Sequence, residues 1–194
     1  EYAVGFHAEK EDFVGVYYVS RKSSVIDALA KFQADMRALN PQYTVVELRT
    51  DGALEYASIA AQEYYTREKI RHSVSPPYTP NTTRIEPLWR TLDRIARASM
   101  ADSGLPESWW PYAFQYAADV RNCMRRGSGK SGHENLTGNA PRVSTFRPLG
   151  CRAYVRKSDR EVRAAGSAAL GPRGWLGINL GLKRGGGPGY YIYV

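Results

Sequence analysis

The chain has 194 residues, of which 43% are hydrophobic, 27 are Lys or Arg and 19 are Asp or Glu. That length accommodates one domain of ordinary size and an appendage, and the apolar content excludes wholesale disorder. The net charge of +8 suits either a polyanionic partner such as nucleic acid or a solvated basic surface.

Cys123 and Cys151 form no CxxC pair, and His7, His72 and His133 do not cluster with them. This argues against a zinc site and against a disulfide framework. It suits a reducing compartment, the nucleus or another intracellular one. No apolar run reaches ~18 residues, so no membrane-spanning helix is indicated. Glu1-Tyr2-Ala3-Val4 lacks the basic start of a signal peptide. Without an initial Met the chain reads as a piece of something longer.

Residues 2–6 and 13–19 are rich in aromatic and β-branched residues and predict two strands. The charged run His7 to Asp12 between them predicts a hairpin tip, with Glu9, Glu11 and Asp12 solvated rather than metal-binding. Val25, Ile26, Ala28, Leu29, Phe32, Met36 and Leu39 recur at helical spacing behind a Ser23-Ser24 cap, and Asn40-Pro41 ends the helix. A third strand over Val45 to Leu48 leads to Asp51-Gly52. A helix follows from about Ala53 to Glu68, then a short strand over Ile70 to Val74.

Pro87 fits the first position of the next helix, with Leu88, Leu92, Ile95 and Ser99 on one face. Arg90, Arg94 and Arg97 lie on or near another face, as a ridge for phosphate or as a solvated surface. Trp109 and Trp110 open a further helix as packing residues. Residues 125–132 resemble part of a phosphate loop but follow a helix, so a basic loop is expected. Past Pro148, Cys151 to Val155, Gly174 to Gly177 and Tyr190 to Val194 predict a small β appendage, dividing the chain into 1–145 and 146–194. The order of elements describes an α/β layer fold with its first two strands antiparallel.

Asp51 at a strand end and Glu86 at a helix start have the chemistry of metal ligands in phosphoryl transfer, which needs carboxylates converging on a pair of ions ~4 Å apart. Spacing alone does not single them out. The surrounding residues add more: Leu48-Arg49-Thr50-Asp51-Gly52 with Glu55-Tyr56, then Pro77-Tyr78-Thr79-Pro80, Glu86, Arg90-Thr91-Leu92, Leu105-Pro106, Arg121-Asn122, Leu149-Gly150-Cys151-Arg152-Ala153-Tyr154-Val155 and Gly174-Trp175-Leu176-Gly177. In these the chain resembles the integrase catalytic core of copia-type LTR retrotransposons, similar to retroviral integrases of the DDE superfamily, over nearly its whole length.

The resemblance implies an RNase H-like integrase core with a small C-terminal β extension. It implies DNA 3′-end processing and strand transfer with Mg²⁺ or Mn²⁺, with Asp51 and Glu86 as catalytic, metal-binding acids. The family's first acid lies on a strand before the hairpin, and neither is expected within this chain, which would then be inactive alone. Arg84, Arg90, Arg94 and Arg97 are the expected nucleic-acid contacts. DNA or RNA, protein partners in a larger assembly and an oligomer are the expected associations, with no membrane. Departures fall at the functional loops: the stretch Asn81 to Ile85 is shorter than the family's, Pro87 replaces a basic residue, and Ala53-Leu54 replaces Asn-Gly. They point to an alternative, a domesticated, catalytically inactive domain acting as a structural or binding component. An unrelated basic α/β module is the third reading.

Overall fold

The structure is a computed structural model, which describes residues 2–75, 85–125, 127, 129–164, 171, 173–183 and 189–194. Strands β1 (Tyr2–Ala8) and β2 (Phe13–Val19) pair antiparallel, from Tyr2 opposite Val19 to Ala8 opposite Phe13. The first strand runs through His7 and Ala8, which the charged-tip reading placed in the turn. Both faces of this hairpin are apolar because both are covered. Val4, Phe6, Ala8, Phe13, Tyr17 and Val19 meet helix α1 (Val25–Leu39) in one core. Ala3, Val14, Val16 and Tyr18 meet α3 (Ile85–Ser103) and α4 (Trp110–Cys123) in a second.

Glycine permits close approach on each face. A Cβ on Gly15 would stand 2.7 Å from the Phe32 ring of α1, and one on Gly5 would stand 2.7 Å from Trp89 of α3. Large aromatics can therefore approach the strand backbone closely where any other residue would hold them off.

Strands β3 (Glu47–Thr50) and β4 (Arg71–Val74) form a separate parallel pair, joined by a short 3-10 turn and α2 (Ile59–Glu68). Leu48 and Ile70 join the α1-side core. The opposite face of this pair is polar: the Glu47 carboxylate accepts from Arg71 at 3.0 Å and from Ser73 at 2.8 Å. The continuous helix expected from Ala53 to Glu68 is broken at Ser58. There an extended backbone and a hydroxyl accepting from the Ala61 N–H start a new helix. Strand β3 also begins two residues later than expected, because pairing with β4 and not hydrophobicity sets its ends.

Helix α3 starts at Ile85, so Pro87 is its third residue and not its first. The first-turn N–H groups have no partner within the helix, so proline costs no hydrogen bond there. Ser24 makes no capping bond, since a 3-10 turn over Lys22–Ser24 leads into α1. Within the expected 125–132 loop, Arg125 bridges to Ser131, whose hydroxyl accepts from the Glu134 N–H and starts α5 (Gly132–Thr137). Trp109 and Trp110 are packing residues. The Trp110 ring meets Tyr18 edge-on at 5.3 Å, and Trp109 meets Tyr193 at 4.8 Å.

Strands β5 (Arg152–Arg156), β6 (Gly174–Leu182) and β7 (Tyr190–Tyr193) make an antiparallel sheet, with α6 (Asp159–Ala164) in the first connection. It docks on the main body through β6 against α4. The Asn179 amide ties it down by donating to the Pro148 carbonyl at 3.0 Å.

Candidate functional site

Asp51 follows directly on β3. Its neighbour Thr50 is buried and bonded to the His72 ring at 2.9 Å, and the Thr50 carbonyl accepts from the Ser75 N–H at 2.8 Å. These contacts hold the strand end, while Asp51 itself is exposed. Its carboxylate accepts from the Ala53 N–H at 3.3 Å across Gly52, which has φ +84°. Burial, and then the charge of Asp51, push the nearby Tyr56 hydroxyl up to about 12.

Glu86 is exposed in the first turn of α3, where the helix dipole favours a negative charge. Arg90 lies one turn on and Arg94 one turn further, both exposed. Arg97 is exposed too, but its Nε donates to both carboxylate oxygens of Asp93, at 2.9 and 2.8 Å. It is therefore a neutralised member of the expected ridge. Arg84 lies outside the described residues.

The chemistry of Asp51 and Glu86 suits a hard cation, since both offer carboxylate oxygen. The donor number does not: among the described residues no three His, Cys, Asp or Glu side chains gather where a metal ion could be held. The described residues do not by themselves make a two-metal site.

Two edges of the sheet system bear on this. The amide of Asn122, on α4, donates to the Val14 carbonyl at 2.7 Å and accepts from the Val14 N–H at 2.8 Å. It mimics a strand and covers the outer edge of β2. Because Val14 points both backbone groups outward, it and His7 form a pair without mutual backbone bonds. By the same alternation Ala3, Gly5 and His7 direct their N–H and C=O groups to the other edge of β1. Among the described residues no strand takes up that edge, and β3 likewise has β4 as its only strand neighbour.

A cluster that the sequence did not reveal lies at the hairpin tip. Asp12 accepts from the Arg121 guanidinium through both its backbone carbonyl and its carboxylate, and the carboxylate also meets His7 Nε2 at 3.0 Å. Arg121 is buried, at 3% exposure. Asp12 is thus no freely solvated tip residue, because the end of α4 approaches the turn. Its tolerance of positive φ is a local signal, but nothing local links it to a residue 109 positions away.

No family model matches the chain. The retrovirus-related Pol polyprotein from transposon RE1 of Arabidopsis thaliana is 25% identical over 145 residues, covering 73% of this chain and 10% of the polyprotein. That from transposon TNT 1-94 of Nicotiana tabacum is 29% identical over 160 residues, covering 80% of this chain and 12% of the polyprotein. The chain thus spans about a tenth of the length of these curated relatives. Among solved structures, the HTLV-2 integrase catalytic core domain in complex with magnesium (dimeric form) superposes with a TM-score of 0.52 at 18% identity, over 69% of this chain and 82% of that one. The fold and the relatives agree: this chain is similar in sequence to retrovirus-related Pol polyproteins of transposons and has the RNase H-like fold of the retroviral integrase catalytic core.

Proposed function

We propose that this domain binds DNA and supports processing and joining of DNA 3′ ends once a further strand occupies the gap between β1 and β3 and brings a third carboxylate to Asp51 and Glu86. The edges of β1 and β3, which no strand takes up among the described residues, carry the reading. One offers the backbone groups of Ala3, Gly5 and His7, and the other leads directly to Asp51. In this reading the turn at Gly52 aims the Asp51 carboxylate, and Arg90 and Arg94 hold phosphate one and two turns from Glu86. The magnesium named with the HTLV-2 core is the kind of ion such a completed carboxylate set would take. The main body, 1–145, would carry this activity and 146–194 would extend it.

The test is a chain extended at its N-terminus by a strand bearing an Asp, assayed for joining of recessed DNA 3′ ends in Mg²⁺ or Mn²⁺. Joining is expected, and Asp51→Asn or Glu86→Gln should reduce it to background while leaving DNA binding intact. An extended chain that binds DNA but joins none overturns the catalytic reading. A second reading, a domesticated binding or structural component, is favoured by the two-carboxylate donor set. Under it Asp51→Asn leaves the domain's role unchanged.

A further inference from the structure

Tyr154 is 79% exposed in the middle of β5, between Arg152 and Arg156, which are exposed as well. Alternate residues of a strand share one face at a spacing of ~6.8 Å, so these three side chains form one row. Directly opposed residues share that face too. Opposite Tyr154 stands Leu176, 56% exposed, and opposite Arg152 stands Ile178, which in turn faces Tyr193 on β7, also 56% exposed. The Tyr193 ring meets Trp109 edge-on, and Trp109 meets Tyr112, so the aromatic surface continues onto the start of α4. Beyond the Tyr193–Trp109 contact, the aromatic and aliphatic face around Tyr154, lined by arginines, is open to solvent.

Its charge selects the partner. Among the described residues of β5, β6 and β7 there is no Asp or Glu, while Arg152, Arg156, Lys157, Arg173 and Lys183 lie on or beside these strands. The nearest acids in sequence belong to α6, and there the Glu161 carboxylate turns back to the Ser158 N–H and hydroxyl at 2.7 and 2.6 Å. On the other sheet face Lys157 covers the Trp175 ring at 4.0 Å, leaving it 44% exposed, and Gly177 and Asn179 are buried. A polyanion whose flat, apolar groups are free to stack satisfies both features of the open face. Duplex DNA hides its base faces, whereas a single strand presents them.

We propose that the Tyr154 face of the C-terminal sheet binds single-stranded nucleic acid, with bases stacked on Tyr154 and Tyr193 and phosphates held by Arg152 and Arg156. This site is separate from Asp51, Glu86 and the α3 arginines, and it stands whether or not the domain joins DNA. The test is fluorescence anisotropy of the full chain with a labelled single-stranded DNA, an RNA of the same sequence and the corresponding duplex, at several salt concentrations. Tyr154→Ala should weaken single-strand binding about tenfold, the range of one lost base stack, while Tyr154→Phe keeps it. The double change Arg152→Ser with Arg156→Ser should flatten the salt dependence by ~0.7 per arginine. Tighter binding of RNA or of DNA then identifies the polymer. A Tyr154→Ala change that weakens duplex binding as much as single-strand binding overturns the proposal. So does a Tyr154→Ala chain that melts and binds like the parent.

Discussion

Asp12 sits at φ +52°, where a short polar side chain is tolerated, and its carboxylate takes hydrogen bonds from His7 and Arg121. Burial pushes its pKa up, but the hydrogen bonds and charges of Arg121 and His7 outweigh that and hold it below the ordinary value. A carboxyl depressed in the folded state contributes stability above its unfolded pKa, ~3.9, and that contribution is lost as pH falls through the lower folded value. Removing one partner of a fully buried pair costs ~3–5 kcal/mol. Asp12 is 37% exposed, so the Asp12→Asn chain is expected to lose about 1–2 kcal/mol at pH 7. Urea melts at several pH values check this: the loss should shrink below pH 4, and a pH-independent loss would exclude the ionic contribution.

Among the elements, β2 is held from both sides, by β1 through the ladder and by Asn122 of α4 at Val14. Asn122→Leu would leave the Val14 N–H and C=O buried without partners. It should cost about 2–4 kcal/mol, one to two for each orphaned group, read as a shift of the urea midpoint. A change within a few tenths of a kcal/mol would show that β2 does not depend on this contact. Helix α5 is stabilised by a different local device. Ser131 accepts from the Glu134 N–H, and Gly138 closes the helix in the left-handed region at φ +76°. The Ser131-x-x-Glu134 spacing and the terminal Gly138 are local signals of this helix, standing directly behind a run of glycines and cations that by itself predicts a loop.

For the whole molecule, helices on both sides bury the β1–β2 hairpin, while the β3–β4 pair has one apolar face and one lined by Glu47, Arg71 and Ser73. The edges of β1 and β3 that no strand takes up among the described residues are the feature on which the proposed function turns. Amide exchange reads the first of them directly. In this chain the amides of Ala3, Gly5 and His7 should exchange much faster than those of Val4, Phe6 and Ala8, which face β2. An extended chain whose added strand fills the gap should protect the first set. Equal protection of both sets without an added strand would mean that the edge is already occupied.

The sequence by itself determined the order of elements through α4, the hairpin, the amphipathic α3 and the likeness to integrases, because periodicity and near-neighbour chemistry are local, while the short α5 and α6 were not legible. It also placed Asp51 beside a strand end and Glu86 in the first turn of a helix. Only the tertiary structure decided that Asp12 pairs with Arg121 and that Asn122 closes an edge of β2. It likewise decided that Tyr154 and Tyr193 share an open face of the C-terminal sheet. Each of these depends on which elements meet and in what register, and contacts between residues as far as 109 positions apart leave no periodic trace in the chain.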